Sequence, residues 1–210
     1  MMKHGLFLTL EGVDGAGKST HIPFMKRFLQ SHDIPILVTR EPGGTPLGEN
    51  LRHLLLTDPM SLETECLLMF AARQEHIQKR IQPALKQGHW VLCDRFTDAT
   101  YAYQGAGRGL GAQRVRVLEQ WVHAALTPDR TWLFDLPLDL ARQRLMKTRV
   151  LDRFEQEDME FFLRTQQGYY DRVHEEPARF SMIDASLTIN EIQEQLQDEL
   201  LQLINQWQRA

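Results

Sequence analysis

Cysteine is scarce in this 210-residue chain, which also lacks long apolar runs and an excess of basic residues. Its two cysteines, Cys66 and Cys93, belong to no paired motif, so we expect reduced core thiols rather than a disulfide framework. No run of about 18 apolar residues offers a membrane span. The formal net charge is −4, whereas a general nucleic-acid binder carries a basic excess. We therefore expect no membrane association and no nucleic-acid partner.

Metal-binding patterns and domain-boundary signals are absent as well. The eight histidines show no HExxH or other ligand spacing, which argues against a structural metal. Hydrophobic residues make up 42% and charged residues 25%, the balance of a soluble globular protein. With no linker, repeat or low-complexity segment, residues 1–210 are expected to form a single domain. The first five residues lead directly into an apolar strand, so we expect no signal peptide and a cytoplasmic location.

A glycine-rich loop lies between a predicted strand and a predicted helix. Gly12-x4-Gly17-Lys18-Ser19 follows an apolar run from Leu8 and precedes apolar residues at helical spacing, so it fits the phosphate-binding P-loop in full. A glycine turn with a chance lysine is the alternative, which this context disfavours. We expect Lys18 to reach the β/γ-phosphates of ATP and Ser19 to bind Mg²⁺. The predicted ATP-binding residues are Gly12, Val13, Asp14, Gly15, Ala16, Gly17, Lys18, Ser19 and Thr20.

Strand and helix patterns alternate along the rest of the chain. This alternation is typical of an α/β fold with a doubly wound parallel sheet. We expect three layers, with a five-stranded parallel sheet flanked by helices. Apolar strands are predicted after the P-loop at 34–39, 90–93, 131–137 and, more weakly, 180–185. Helices are predicted at 21–29, 47–56, 62–86, 113–126, from 138, from 152 and at 188–207.

Charged residues follow two of the predicted strands. Arg40 and Glu41 enter a proline- and glycine-rich loop, and Asp94 and Arg95 lie at the tip of the strand at 90–93. Parallel α/β folds place ligand contacts at this edge. Asp94 suits the orientation of Mg²⁺, and the planar fork of Arg95 suits a phosphate. The alternatives are solvated loop charges and simple strand capping.

Two predicted helices carry side chains suited to a planar base. Phe70 and Arg73 are three residues apart and share a face, which would let them sandwich a base and hydrogen-bond its edge. A core phenylalanine with a surface arginine is the alternative for that pair alone. Thr100 and Gln104 are four apart, beside Tyr103.

The densest cluster of cations lies between 142 and 153, with only Asp152 as an acidic residue among them. A solvated helix face is one interpretation, and it is the one that we adopt for Arg142. For the other cations we predict a lid, at about 144–155, that closes on ATP and stabilises the charge of the transferred phosphoryl group. These lid cations are Arg144, Lys147, Arg149 and Arg153.

Four motifs in this order resemble the thymidylate kinase family, from about Leu8 to Ala185. They are residues 11–19, 39–45, 71–73 and 94–105. The resemblance implies a P-loop kinase fold that transfers the γ-phosphoryl group of Mg-ATP to dTMP, giving dTDP and ADP in dTTP biosynthesis. It also implies a homodimer. Transfer is expected to be direct and in line, because the acceptor phosphate has its second pKa near ~6 and needs no general base.

The resemblance also implies individual roles. Asp14 would receive the deoxyribose 3′-hydroxyl, Phe70 would stack on thymine, and Tyr103 would pack where a 2′-hydroxyl would lie. Hydrogen bonds to the base would come from Arg73 and Thr100, with Gln104 and Arg52 close by. The acceptor phosphate and the metal region would be handled by Arg95, Arg40 and Glu41, with Asp94 and Ser19 at the metal. The implied catalytic residues are Lys18, Arg95, Arg149, Arg153 and Asp14.

The chain departs from the family pattern at one position, and two rival functions stay open. Some family members carry an arginine in the P-loop where this chain has Gly15, so this chain resembles the type whose lid supplies the arginine, with Arg149 as the first candidate. A kinase for another nucleotide or for a deoxynucleoside is one rival; a nucleoside hydroxyl would need a base such as Glu11, Asp14 or Glu41. A nucleotide switch is the other, although no Asn-Lys-x-Asp sequence is present.

Overall fold

Five parallel strands form one sheet in the order β2-β3-β1-β4-β5. A computed structural model describes residues 3–146 and 153–209. The bounds are β1 Phe7–Glu11, β2 Ile36–Arg40, β3 Trp90–Asp94, β4 Arg130–Asp135 and β5 Phe180–Asp184. Leu10 is in register with Asp94, and Asp94 with Arg40, so the ends of β1, β2 and β3 meet at one edge. The predicted five-stranded parallel sheet is confirmed.

Helices connect the strands and cover both faces of the sheet. They are α1 Lys18–Ser31, α2 Pro46–Thr57, α3 Leu62–His76, α4 Gln82–Lys86, α5 Thr97–Thr100, α6 Ala112–His123, α7 Leu138–Leu145, α8 Met159–Glu175 and α9 Ile189–Arg209. The helix predicted over 62–86 is continuous, with a π-helical turn at Ile77–Ile81 between α3 and α4. A second π-helical segment, Tyr101–Gly107, continues α5. None of the helices in the described part of the chain is long and apolar enough to cross a membrane.

The helix predicted to begin at residue 152 begins instead at Met159, so this boundary was wrong. Asp158 has an extended backbone, and its Oδ1 accepts a hydrogen bond from the Phe161 N–H at 2.7 Å, which makes it the N-cap. Turns precede it from Arg153. The run of acidic residues after residue 152 predicted a helix start there. The residue that caps the helix, Asp158, lies six positions later.

Alternate residues of the strands build the cores on the two faces of the sheet. Leu8 and Leu10 of β1 face α1 and α9, whereas Phe7 belongs to the core that includes Ile77 and Ile81 of the first π-helical segment. Successive side chains of a strand point to opposite faces of the sheet, so β1 contributes to both cores. Because both faces are covered, ligands approach the sheet at the carboxyl ends of its strands.

A buried ion network fixes the chain just after β3. Asp98 accepts hydrogen bonds from Arg172 at 2.9 Å and from Arg179 at 2.7 and 2.8 Å. Burial alone would raise the pKa of Asp98, but the two guanidinium groups lower it. Because breaking a buried pair leaves a charge uncompensated, this network holds α5 firmly against α8 and β5.

Candidate active site

The glycine-rich loop wraps around its own lysine. Nζ of Lys18 donates to the carbonyl oxygens of Gly12 at 2.9 Å and Val13 at 3.3 Å. Gly12 has φ +133°, and a Cβ there would lie 2.5 Å from the carbonyl oxygen of Phe134, so only glycine fits. Burial, and then the charge of Arg95, lower the pKa of Lys18. Val13 and Ala16 turn their side chains into the core and leave the loop backbone to face a ligand.

The first cavity of the site lies above this loop. We call it the donor cavity. Its lining brings together most of the predicted ATP and metal residues and adds Arg144 from the predicted lid. The lining residues are Asp14, Gly15, Gly17, Lys18, Ser19, Thr20, Arg40, Glu41, Arg52, Asp94, Arg95, Arg144 and Leu145.

Ser19 and Asp94 both line the donor cavity and carry oxygen atoms that could bind a metal. Oδ1 of Asp94 is buried and has no hydrogen-bond partner among the described residues, so a carboxylate oxygen is left for a ligand. A hydroxyl and a carboxylate fit Mg²⁺, which keeps several waters and takes few protein ligands. Within residues 3–146 and 153–209 no group of three or more histidine, cysteine or acidic residues forms a denser metal site.

The second cavity adjoins the first. We call it the acceptor cavity. The two cavities share Asp14, Glu41, Arg52 and Arg95. All of the predicted acceptor residues line it except Arg40, which lies in the donor cavity, and Phe70. The lining residues are Asp14, Glu41, Pro42, Arg52, Leu56, Met69, Arg73, Arg95, Phe96, Ala99, Thr100, Tyr103, Gln104 and Phe154.

Arg95 lies at the junction of the two cavities. Its Nη2 donates to Asp14 Oδ1 at 2.7 Å and to the Tyr103 hydroxyl at 3.0 Å, and its Nη1 donates to the Tyr169 hydroxyl at 3.0 Å. The Tyr103 hydroxyl donates to Asp14 Oδ2 at 2.7 Å. Burial would raise the pKa of Asp14, but Arg95 and Lys18 lower it to about 2. Asp14 is therefore a carboxylate at neutral pH.

Arg73 forms the far wall of the acceptor cavity. Its Nε donates to Glu41 at 2.7 Å, and its Nη2 donates to the Thr100 hydroxyl at 3.0 Å and to the Phe96 carbonyl at 3.1 Å. The third nitrogen, Nη1, is buried without a hydrogen-bond partner in the described structure. A buried unpaired donor is costly, so this atom suits a carbonyl oxygen of a bound base.

Phe70 does not reach the acceptor cavity, which corrects the expectation that it stacks on a base. Its side chain is only 2% exposed and packs with Cys66, Tyr101 and Val115. Met69 lines the cavity instead. Residues three and four positions before Arg73 both share its face of the helix, and the packing of α3 against α6 selects the one four positions away. Phe70 supports Arg73 from behind, with the guanidinium carbon 4.7 Å from its ring centre.

Three of the remaining predicted cations line the donor cavity, namely Arg40, Arg52 and Arg144. Arg40 pairs with Glu49 at 2.9 Å in an exposed position. Arg52 donates to the Pro42 carbonyl at 3.2 Å, and Arg144 donates to the Ala185 carbonyl at 3.1 Å. Arg142 is exposed, as expected. Lys147 and Arg149 lie outside the described residues.

Arg153 points away from the donor cavity. It donates to the Leu55 carbonyl and, at 2.7 Å, to Glu65. In the described structure Arg153 forms an ion pair with Glu65 of α3, and its contact with the phosphoryl group stays a prediction.

Two residues of the site that sequence reasoning missed or left unassigned support Arg95. Glu11 is fully buried; its Oε1 accepts the Phe96 N–H at 2.7 Å, and its Oε2 accepts the Tyr169 hydroxyl at 2.9 Å. Tyr169, on α8, gave no sequence signal because its partners lie far along the chain. Burial, followed by the charge of Asp98, raises the pKa of Glu11 to about 8.

Replacing Glu11 with glutamine should flatten the dependence of stability on pH. The pKa of Glu11 is raised on folding from 4.5 to about 8, so its contribution to stability is fully present below pH 4.5 and is lost as pH rises through about 8. One such group gives a slope of up to about 1.36 kcal/mol per pH unit. Urea unfolding at several pH values between 5 and 9 measures it. Equal slopes for wild type and Glu11→Gln would contradict the prediction.

Two linked cavities, one over a P-loop and one lined by side chains suited to a planar base, are the arrangement of a P-loop kinase that transfers a phosphoryl group between two nucleotides. Arg95, whose guanidinium suits a phosphate, lines both of them. The chain belongs to the thymidylate kinase family, since the thymidylate kinase family model matches residues 10–196.

Individual proteins agree with this assignment. A thymidylate kinase of Bordetella pertussis is 58% identical over 206 residues, which cover 98% of this chain and 99% of that protein. A thymidylate kinase of Janthinobacterium sp. is 57% identical over 195 residues, 93% of this chain and 96% of that protein. The crystal structure of a thymidylate kinase from Ehrlichia chaffeensis has a TM-score of 0.77 at 32% identity and covers 94% of this chain and 99% of that chain.

Proposed function

We propose that this chain transfers the γ-phosphoryl group of Mg-ATP to dTMP, giving dTDP and ADP in dTTP biosynthesis. The observation that carries the proposal is Arg95, which lines both cavities and presents a partly buried guanidinium where two phosphates would meet. Family membership favours this reaction over another acceptor or a nucleotide switch.

The acceptor cavity orients dTMP with its base toward Arg73 and its phosphate toward Arg95. Nη1 of Arg73 supplies a donor to a thymine carbonyl, while Thr100 and Gln104 offer further polar groups along the base. Met69 provides the apolar contact that was expected from Phe70. Polar groups that would be left buried and unpaired by a wrong base make such a pocket selective.

Tyr103 provides the preference for deoxyribose. Its hydroxyl already serves Asp14 and Arg95, and its ring is held by Phe161 and Tyr169 at centroid distances of 6.0 and 6.4 Å. A 2′-hydroxyl beside this ring would find neither space nor a partner, which raises the cost of binding a ribonucleotide. The ionised Asp14 accepts the 3′-hydroxyl that both sugars carry.

Catalysis rests on positioning and on charge. Ser19 and Asp94 would hold Mg²⁺, which neutralises charge on the β- and γ-phosphates. Lys18 and Arg95 draw donor and acceptor phosphates together against their mutual repulsion. The acceptor phosphate is already largely a dianion at neutral pH, so no side chain has to remove a proton. A lid over 144–155, with Arg149 and Arg144 as its cations, completes the site and excludes water.

Steady-state turnover with Mg-ATP tests the proposal across dTMP, dUMP, UMP, dCMP, dGMP and thymidine. Fast turnover of dTMP, weaker turnover of dUMP and little turnover of UMP are expected. Turnover of thymidine, or equal turnover of UMP, would overturn the acceptor assignment. ATP consumption that no acceptor stimulates would favour a nucleotide switch.

We also propose a homodimer that forms through α3 and α6. Leu67 is 52% exposed on α3, while Val117 and Trp121 are 57% and 80% exposed on α6. The two helices run side by side, joined at their surface by Arg114 and Glu63. Val117 and Trp121 are four residues apart, so they share one face of α6, and Leu67 is exposed on the helix beside it. Exposed large apolar side chains on two adjacent helices fit a second copy of the chain.

Replacing Trp121 with glutamate should convert the dimer into a monomer. Trp121 is the most exposed of the large apolar side chains described, and a charge there would be buried without a partner at a symmetric interface. Sedimentation velocity at micromolar concentration measures the change. Leu163→Glu, on α8, places the same charge at another exposed apolar position and should leave the mass unchanged. A monomeric wild type would refute the dimer.

The organisation and location of the chain are inferred on related grounds. A single domain is supported by the one sheet and by the bond from Trp207 Nε1 to the His4 carbonyl at 2.7 Å, which ties the last helix to the start of the chain. A cytoplasmic location is supported by Cys66 and Cys93, which are buried and free, because unpaired thiols are usual in a reducing compartment.

A further inference from the structure

Glu65, on α3, is a buried carboxylate that no sequence motif indicated. It is 1% exposed. Its Oε1 accepts hydrogen bonds from Gln104 Nε2 at 2.7 Å and from Arg108 Nε at 3.2 Å, and its Oε2 accepts one from Arg153 Nη2 at 2.7 Å. A single side chain thus joins α3, the π-helical segment after α5 and the turns that precede α8.

The partners of Glu65 lead to the wall of the acceptor cavity. Gln104 lines that cavity itself. Arg153 is followed by Phe154, another lining residue, whose ring centre lies 4.7 Å from the Arg153 guanidinium carbon. Arg153 also donates to the Leu55 carbonyl at 2.8 Å, next to the lining residue Leu56.

Arg108, the third partner of Glu65, also contacts Phe154. Its Nη1 pairs with Glu157 at 2.7 Å, and its guanidinium carbon lies 5.2 Å from the centre of the Phe154 ring. Phe154 is therefore placed between two arginines that share one carboxylate. A buried carboxylate is tolerated only when it is well paired, so loss of Glu65 would release Gln104 and both arginines together.

We propose that Glu65 is a positioning residue for the acceptor nucleotide, and that Arg153 anchors the chain at the acceptor cavity rather than contacting the transferred phosphoryl group. Through Gln104, Glu65 fixes one polar wall of the acceptor cavity. Through Arg153 and Arg108 it fixes the wall that Phe154 forms. Glu65 does not line the donor cavity, so its effect falls on the acceptor. This inference rests on the proposed assignment of that cavity to dTMP.

Steady-state kinetics of Glu65→Gln test the inference, with Glu63→Gln as the matched control. Glu63 lies on the same helix but is exposed and pairs with Arg114 at the surface. For Glu65→Gln the KM for dTMP should rise about tenfold, which corresponds to about 1.4 kcal/mol, while the KM for ATP and kcat stay within about twofold. Glu63→Gln should match wild type. An unchanged KM for dTMP in folded Glu65→Gln would overturn the proposal.

Arg153→Met removes the same Glu65–Arg153 ion pair at its more exposed residue. It tests the proposal if Glu65→Gln fails to fold. It should raise the KM for dTMP to a similar extent, and its effect should not add to that of Glu65→Gln, because both remove one interaction. A fall in kcat of more than about a hundredfold with an unchanged KM for dTMP would instead make Arg153 a phosphoryl contact and overturn the anchor. A wild-type enzyme without dTMP turnover refutes the proposed function itself, whereas normal wild-type turnover with unaltered variants refutes only this inference.

Discussion

Replacing Arg95 with glycine should lower kcat/KM for dTMP by about a thousandfold and leave ATP affinity within a few-fold. Arg95 is the one strand-end cation that hydrogen-bonds Asp14, Tyr103 and Tyr169 together. Removing a single preorganised donor costs a factor of about 10²–10³, and this guanidinium presents two nitrogens at the junction of the cavities. Its loss also removes the cation that hydrogen-bonds the Asp14 carboxylate, which leaves that negative charge less compensated beside an anionic substrate.

Glycine is chosen because the backbone of Arg95 is left-handed, with φ +69°. Such a conformation costs an L-residue about 1–2 kcal/mol, a cost that Arg95→Ala retains and Arg95→Gly removes. The two variants should therefore lose activity equally, while the glycine variant is the more stable in thermal unfolding. An equal loss of kcat/KM in the two variants would show that the missing guanidinium, rather than a change in the backbone, lowers activity.

Calorimetric titration with ATP, alongside steady-state turnover of dTMP, separates the two cavities. Arg27→Ala, an exposed site on α1, serves as the control for removal of a positive charge. A loss below about tenfold, or one confined to the KM for ATP, would contradict the role of Arg95 at the acceptor phosphate. A nucleotide switch would show little change in either measurement.

The P-loop was predictable because everything that defines it is contiguous. The strand, the glycines, Lys18 and the helix lie within residues 7–31, so local backbone geometry determines the loop. The strand-end residues Asp94 and Arg95 were predictable for a related reason: parallel strands bring their carboxyl ends to one edge. Fold class and donor site thus follow from short-range signals.

The errors and omissions arise where partners are distant along the chain. Whether residue 69 or 70 faces the acceptor cavity depends on how α3 packs against α6, since both spacings share a face with Arg73. The cations between 142 and 153 predicted a concentration of positive charge but not which groups each cation contacts. The partner of Arg153 is Glu65, 88 positions away. The two π-helical turns also had no recognisable pattern. Tertiary packing, rather than propensity, selects among these alternatives.

Replacing Lys18 with methionine should lower kcat by about a thousandfold while the affinity for dTMP stays within about threefold. Lys18 is only 6% exposed, and the carbonyl oxygens of Gly12 and Val13 hold its ammonium at the centre of the loop. There it neutralises charge on the β/γ-phosphates as the transferred group departs. Preorganised stabilisation of this kind acts on the transition state and costs on the order of 10²–10³-fold when it is removed.

The pKa of Lys18 explains why the loss should appear in kcat rather than in folding. Burial and the charge of Arg95 lower that pKa, so the protein holds two cations close together that the phosphates of ATP would neutralise. Methionine relieves this repulsion, and the melting temperature should fall by no more than about 3 °C. Lys26→Met, an exposed position on α1, is the control.

The double variant Lys18→Met/Arg95→Gly distinguishes shared from separate roles. Both cations act on one bridging phosphoryl group, so their effects should be clearly less than multiplicative, as expected for residues that work as a unit. Multiplicative losses would mean that each cation serves its own nucleotide without meeting the other at the transferred group. That result would contradict the close approach of the donor and acceptor phosphates that we infer from the residues lining both cavities.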